Sequence, residues 1–196
     1  MVQAIIFDLY NTLIYHPHDP VRALLSDANI DLATALRVAT TNNYNTLEEM
    51  MAVLKPNHSI DLAPYEERLQ HTIKNTKCYD DAMPMLLSIP HTINVGVITN
   101  LTSHFKQPFY DLDLDLLVDE VIFSTDAGYR KPDPQIYKLM SEKLNIPLCE
   151  MIMFGDTLNA DVVGPKNVGM NAVLLDRTGT SSHEHITSLN DVVRYL

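Results

Sequence analysis

The chain is poor in several things, and each shortage narrows the reading. It has two cysteines, Cys78 and Cys149, far apart and without a C-x-x-C pattern. That usage predicts two free thiols in a reducing compartment rather than a disulfide or a thiolate metal site. Basic residues are scarce, 14 against 25 acids, for a formal net charge of −11, and no Lys/Arg run offsets this. Such a surface repels polyphosphate backbones and anionic membranes, so no nucleic-acid or membrane partner is expected. No apolar stretch approaches the ~20 residues that cross a bilayer. The start, MVQAIIFD, lacks the basic region and apolar length of a secretion signal, so a cytoplasmic location is expected. The eight histidines show no H-x-x-x-H spacing, and there is no internal repeat or low-complexity tract. His16 and His18 read as loop residues rather than ligands.

What remains is an ordinary globular composition, 46% apolar over 196 residues. That suits one domain carrying an insertion. Ala4–Phe7 is a continuous apolar run, and similar runs fall at Ile93–Thr99, Val121–Ser124, Met151–Phe154 and Ala172–Leu175. Uniformly apolar short runs predict parallel strands buried on both faces. Helical spacing lies between most of them. Asp133-Pro134 reads as an N-cap and N1 proline opening a helix through Ile136, Tyr137, Met140 and Leu144. Further helices are expected over Asn159–Asn167 and near Leu189–Tyr195. Strands alternating with helices predict a doubly wound parallel α/β sheet.

One gap breaks the rhythm. Asp8 to Thr99 spans 91 residues, against 32 from Thr99 to Lys131 and 25 from Lys131 to Asp156. A β-α-β unit needs about 30, so roughly 60 residues are surplus to the sheet. The surplus carries three helix signals: Leu32, Ala35, Leu36 and Ala39 on one face, the capping box Thr46-x-x-Glu49, and Pro64 to Ile73. We read residues 17–79 as a helical cap on a core of residues 1–16 and 80–196, with hinges at His16–Pro20 and Lys77–Asp81.

Ligands of parallel α/β sheets bind beyond the carboxyl ends of the strands. Asp8, Thr99 and Asp156 stand where apolar runs end, Lys131 lies in the loop after the third run, and Asp8-x-x-x-Thr12 puts a carboxylate and a hydroxyl on one tight loop. Each has an ordinary explanation as a cap, turn or surface residue, but one polar group per strand end, in chain order, is hard to obtain by chance.

The segments FDLYNTL (Phe7–Leu13), ITN (Ile98–Asn100), GYRKPDP (Gly128–Pro134) and FGDTLNAD (Phe154–Asp161) resemble the four motifs of the haloacid dehalogenase superfamily. The resemblance covers the expected sheet domain, and the cap is similar to that family's inserted lid. It implies that Asp8 is a nucleophile forming an aspartyl ester. It places Thr99, with Asn100 beside it, against the group under attack, and implies that Lys131 neutralises charge there. It implies Mg²⁺ held by Asp8, Asp156, Asp161 and the backbone carbonyl of Tyr10. Asp161 has a second reading, ordering a ligand water or pairing with Lys131.

One position departs from the family's phosphatases. They carry an aspartate two residues after the nucleophile as general acid and base, and here Tyr10 stands there, as in the dehalogenase branch. Motif four argues the other way, since Asp156 and Asp161 resemble the metal-binding version. The expected activity is therefore Mg²⁺-dependent hydrolysis of a small phosphate monoester, weakened at Tyr10. The alternatives are a metal-independent 2-haloacid dehalogenase and a catalytically weak phosphate-binding module. Arg37, Arg68, Lys74 and Tyr79 are weaker candidates for contacts from the cap, and oligomeric state is not legible.

Overall fold

The computed structural model describes residues 2–16 and 18–196. The elements run β1 (Ala4–Phe7), β2 (Ile14–Tyr15), α1 (Pro20–Asp27), α2 (Leu32–Ala39), α3 (Leu47–Leu54), α4 (Ala63–Lys74), β3 (Lys77–Cys78), α5 (Ala82–Ser88) and β4 (Asn94–Thr99). They continue with α6 (Gln107–Asp111), β5 (Glu120–Phe123), α7 (Ser124–Ala127), α8 (Pro134–Leu144), β6 (Met151–Gly155), α9 (Gly164–Asn167), β7 (Asn171–Leu175) and β8 (His185–Ile186).

Six strands form one parallel sheet in the order β5-β4-β1-β6-β7-β8. The five apolar runs of the sequence are its first five strands in chain order. Residues alternate between faces, and both faces are covered. Ile5, Phe7, Val97 and Phe154 pack into one apolar cluster, while Ala4, Ile6, Ile98 and Met153 pack into another with Tyr137 and Met140 of α8. Burial on both sides is why these strands read as apolar throughout. The chain steps from β1 to β4 and β5, then returns to the other side of β1 at β6. This reversal leaves a crevice at the carboxyl end of β1, the place where such sheets bind ligands.

Helices α1 to α4 lie between β2 and β3, and those two short strands pair antiparallel, Ile14 with Cys78 and Tyr15 with Lys77. The two connections to the helical segment are thus tied to each other. The expected boundary at residue 17 falls on Pro17, outside the described residues. The segment also meets the sheet domain at a second place. Ser103 Oγ accepts from the Tyr44 N–H (2.9 Å) and donates to the Tyr44 carbonyl (2.6 Å). Nearby, Lys106 Nζ bridges Asn43 Oδ1 and Asp126 Oδ1.

Four helices stand where three were expected. The extra one, α1, opens on Asp19-Pro20, with Asp19 accepting from the Arg22 N–H. Asp133-Pro134 opens α8 in the same manner. The capping box at Thr46 also forms, although Glu49 reaches back to the Asn45 N–H rather than that of Thr46. The expected helix Asn159–Asn167 is instead a π-helical turn, Leu158–Val163, followed by α9. Pro165 has no N–H to continue a helix, so a new one starts around it. The last helix, Leu189–Tyr195, is of the tighter 3₁₀ type. Both cysteines are free thiols. Among the described residues no helix is long and apolar enough to cross a membrane.

Candidate active site

Asp8 follows the last residue of β1 and is held there by a bond from its N–H to the Phe154 carbonyl of β6 (2.9 Å). It is buried, and its Oδ1 accepts from Lys131 Nζ at 2.7 Å. The same ammonium donates to Asp161 Oδ1 at 2.7 Å, and Asp161 Oδ2 accepts from the Thr157 N–H at 2.9 Å. Lys131 and Asp161 are nearly inaccessible, at 2% and 1% exposure. Asp156, at the end of β6, completes an acidic group: ligand oxygens of Asp8, Asp156 and Asp161 lie within 4.8 Å of one another.

The electrostatics follow from this crowding. Burial pushes the Asp8 carboxyl above its ordinary range; the charge of Lys131 opposes this, and Asp161 and Asp156 reinforce it. Burial pulls Lys131 down, but the charges of Asp161 and Asp8 outweigh it and hold the ammonium above its usual value. Burial and then Asp161 raise Asp156. Three carboxylates around one ammonium leave an excess of negative charge that favours a further cation.

Lys131 is aimed by a reciprocal clamp. Asn100 Nδ2 donates to the Lys131 carbonyl and Asn100 Oδ1 accepts from the Lys131 N–H, both at 2.8 Å. Gly155 permits the close approach of Asp161, since a Cβ there would fall 2.4 Å from Asp161 Cγ. The π-helical turn carries Asp161 back over the strand end, a distortion found often at functional sites.

A cavity of about 620 Å³ opens above this group. Asp8, Tyr10, Thr99, Asn100, Lys131, Asp156 and Asp161 all line it. Thr12 does not; it is buried beneath the loop, and its carbonyl accepts from Arg177. Tyr10 turns its hydroxyl to the Phe105 carbonyl at 3.0 Å, with its ring edge-on to His16 and Phe105. Burial, then the charge of Asp19, holds that phenol well above its ordinary range. The helical segment supplies Val21, Arg22, Leu36 and Thr40 to the wall. Of the cap candidates, Arg37, Arg68 and Lys74 are not on this wall, and Tyr79 lines a neighbouring hollow that shares Asn11 and Asp156 with it. His16 and His18, read as loop residues, do line the cavity.

Several lining residues escaped the sequence reading. Asn11 adopts a left-handed backbone (φ 62°) and lines the cavity with Asp156. An asparagine one residue after Tyr10 was the available signal, because asparagine tolerates that conformation. Arg130 sits inside the third motif and carried no signal of its own. Arg177 makes a two-pronged bond to Asp81 (3.0 Å each) and lies over the Tyr79 ring, tying the segment after β7 to the second expected hinge.

The doubly wound α/β fold thus holds a carboxylate–lysine–carboxylate group at its switch point. Residues 2–169 match the family model of haloacid dehalogenase-like hydrolases, and the chain belongs to that family. It is 40% identical over 62 residues to a glyceraldehyde 3-phosphate phosphatase of Pyrococcus abyssi, covering 32% of this chain and 26% of that protein. The chain thus spans about a quarter of that relative's length. Among solved structures, a HAD phosphatase from Thermococcus onnurineus superposes with a TM-score of 0.72 at 21% identity, over 99% of this chain and 97% of that one. A 2-haloacid dehalogenase from Pseudomonas syringae pv. Tomato superposes with a TM-score of 0.71 at 19% identity over 100% of both chains. At such identity the superpositions speak to the fold.

Proposed function

We propose that the protein is a Mg²⁺-dependent phosphatase of small phosphate monoesters, acting through Asp8. The carrying observation is the acidic trio around a single ammonium. A metal-independent site has no use for Asp156 beside two other carboxylates. The donors suit Mg²⁺, which takes hard oxygens and keeps several waters. Asp8, Asp156 and the Tyr10 carbonyl would hold it. Asp161, with both oxygens already bonded, would act by fixing Lys131 and ordering a ligand water. When bound, the ion would offset charge on the phosphoryl oxygens.

A free oxygen of Asp8 attacks phosphorus in line; the aspartyl–phosphorus bond forms as the ester bond breaks, and the leaving oxygen takes a proton from water. Water then attacks phosphorus, releasing phosphate and restoring Asp8. Lys131 balances charge on Asp8 throughout, and the Thr99 hydroxyl donates to the transferred group. Residues 17–79 act as a cap that closes over the site and excludes water, hinged at the β2–β3 ribbon.

A second reading, the 2-haloacid dehalogenase, is favoured by Tyr10. Its hydroxyl is engaged with Phe105, so it is a poor shuttle for a leaving alcohol, whereas a halide needs none. One screen decides: phosphate esters and 2-haloacids, each with Mg²⁺ and with EDTA. The proposal requires phosphate release that EDTA abolishes; halide release in EDTA without phosphatase activity overturns it.

A further inference from the structure

Arg130 precedes Lys131 on the loop after β5 and lines the same cavity. It is half-buried, and among the described residues its guanidinium has no ion-pair or hydrogen-bond partner; only its backbone carbonyl is engaged, accepting from the Asp133 N–H. Nothing in the phosphoryl chemistry uses it. Lys131, its neighbour, is fully engaged by Asp8 and Asp161. A guanidinium drawn out of water without an anion is unfavourable, and burial already pulls Arg130 below its usual range. Such a group gains most when a ligand brings the missing charge.

The rest of the wall points the same way. The acids Asp8, Asp156 and Asp161 form the floor, and Asp19 on the wall is bonded to the Arg22 N–H. Arg22, on α1, is a second lining cation without an ion-pair partner among the described residues. Val21, Leu36, Leu101 and Phe105 line the same cavity and suit a short carbon chain. A cavity of about 620 Å³ is larger than a phosphoryl group alone needs. The planar fork of arginine matches a carboxylate or a phosphate through two parallel bonds.

We propose that Arg130 reads a second anionic group on the substrate, so that the preferred esters are short-chain phosphates bearing a carboxylate or a second phosphate. This rests on the phosphatase reading above. The substrate is then held at both ends, its reacting phosphate over Asp8 and its far anion against Arg130.

The test compares kcat/KM for 2-carboxyethyl phosphate, propane-1,3-diol bisphosphate and propyl phosphate, with Mg²⁺ present. The wild type should favour at least one charged ester over propyl phosphate by about tenfold or more, the size of a charge-assisted hydrogen bond. Which charged ester wins separates carboxylate from phosphate recognition. Arg130→Gln should lower that ratio by about 10–100-fold, chiefly through KM, and Arg130→Lys should lower it less because charge remains. A wild type without the preference overturns the proposal, as does an Arg130→Gln variant in which the ratio is unchanged. If no ester is turned over, the phosphatase reading fails by itself. Calorimetry then decides Arg130 with 3-phosphonopropionate against propylphosphonate. A preference for the former that Arg130→Gln removes supports the role, and equal affinities in the wild type overturn it.

Discussion

Tyr10 divides the competing chemistries, and its contacts lead to a definite expectation. Its hydroxyl donates to the Phe105 carbonyl, and its ring packs edge-on against His16 and Phe105. Tyr10→Phe keeps the ring and removes one neutral hydrogen bond, which should cost about 1 kcal/mol. For a chain of this size that lowers Tm by about 2–4 °C. Because the proton is committed to Phe105, kcat/KM for alkyl phosphates should change by less than about tenfold, well short of the 10²–10⁴ of a general acid. Tyr10→Asp is the harsher change. It removes most of a half-buried ring, at about 3 kcal/mol by analogy with large-to-small aromatic substitutions, and puts a carboxylate near Asp19 and the acidic trio. It also supplies the missing proton shuttle. Alkyl phosphate turnover should rise by about 10²-fold in the folded fraction, with a smaller gain for an aryl phosphate, whose leaving group needs little protonation. Urea denaturation gives the stabilities, and kcat/KM on an alkyl and an aryl ester gives the chemistry. A folded Tyr10→Phe that loses 10²-fold or more on the alkyl ester alone would show that the phenol is the acid, refuting the reasoning.

Three further outcomes are expected. Lys131→Met leaves Asp8 and Asp161 buried without their cation, so it should destabilise by about 3–5 kcal/mol, lowering Tm on the order of 10 °C, with added Mg²⁺ restoring part of that; an unchanged Tm contradicts the cluster. Asp156→Asn should weaken Mg²⁺ binding in calorimetry, because a neutral amide is a poorer ligand for a hard cation, and equal affinities would remove Asp156 from the ligands. Burial raises Asp81, but bonds from Arg177, the Leu189 N–H and Ser188 outweigh it and hold its carboxyl below the ordinary range. Its contribution is therefore full above the usual carboxylate range and lost as pH falls through the lowered value. The stability gap between wild type and Asp81→Asn should persist near neutrality and shrink below about pH 4, and a gap that widens on acidification contradicts this.

The sheet was readable because its strands are buried on both faces, which writes burial into the chain as unbroken apolar runs such as Ala4–Phe7. Chain order then set the strand-end residues Asp8, Thr99 and Asp156. The two-residue strands β2, β3 and β8 are too short to carry a period, and α1 was hidden because its Asp19-Pro20 start read as a hinge. In the site, residue types announced Asp8, Lys131, Asp156 and Asp161, but not how they pair. That Asp161 bonds Lys131 follows from a π-helical turn and from Gly155, features that depend on three-dimensional packing. Arg130 and Arg177 were missed for a similar reason. An arginine looks the same in sequence whether it faces water, a carboxylate such as Asp81 or an empty cavity.

The central claim is that Asp8 carries the phosphoryl group. Quench the enzyme during turnover of a phosphate ester with Mg²⁺, treat it with borohydride and map the peptide that contains position 8. An aspartyl phosphate is reduced to homoserine, so the account predicts homoserine at position 8, dependent on substrate and absent from Asp8→Asn. Phosphate release with Asp8 unmodified throughout would mean that water attacks the ester directly, and would contradict the account.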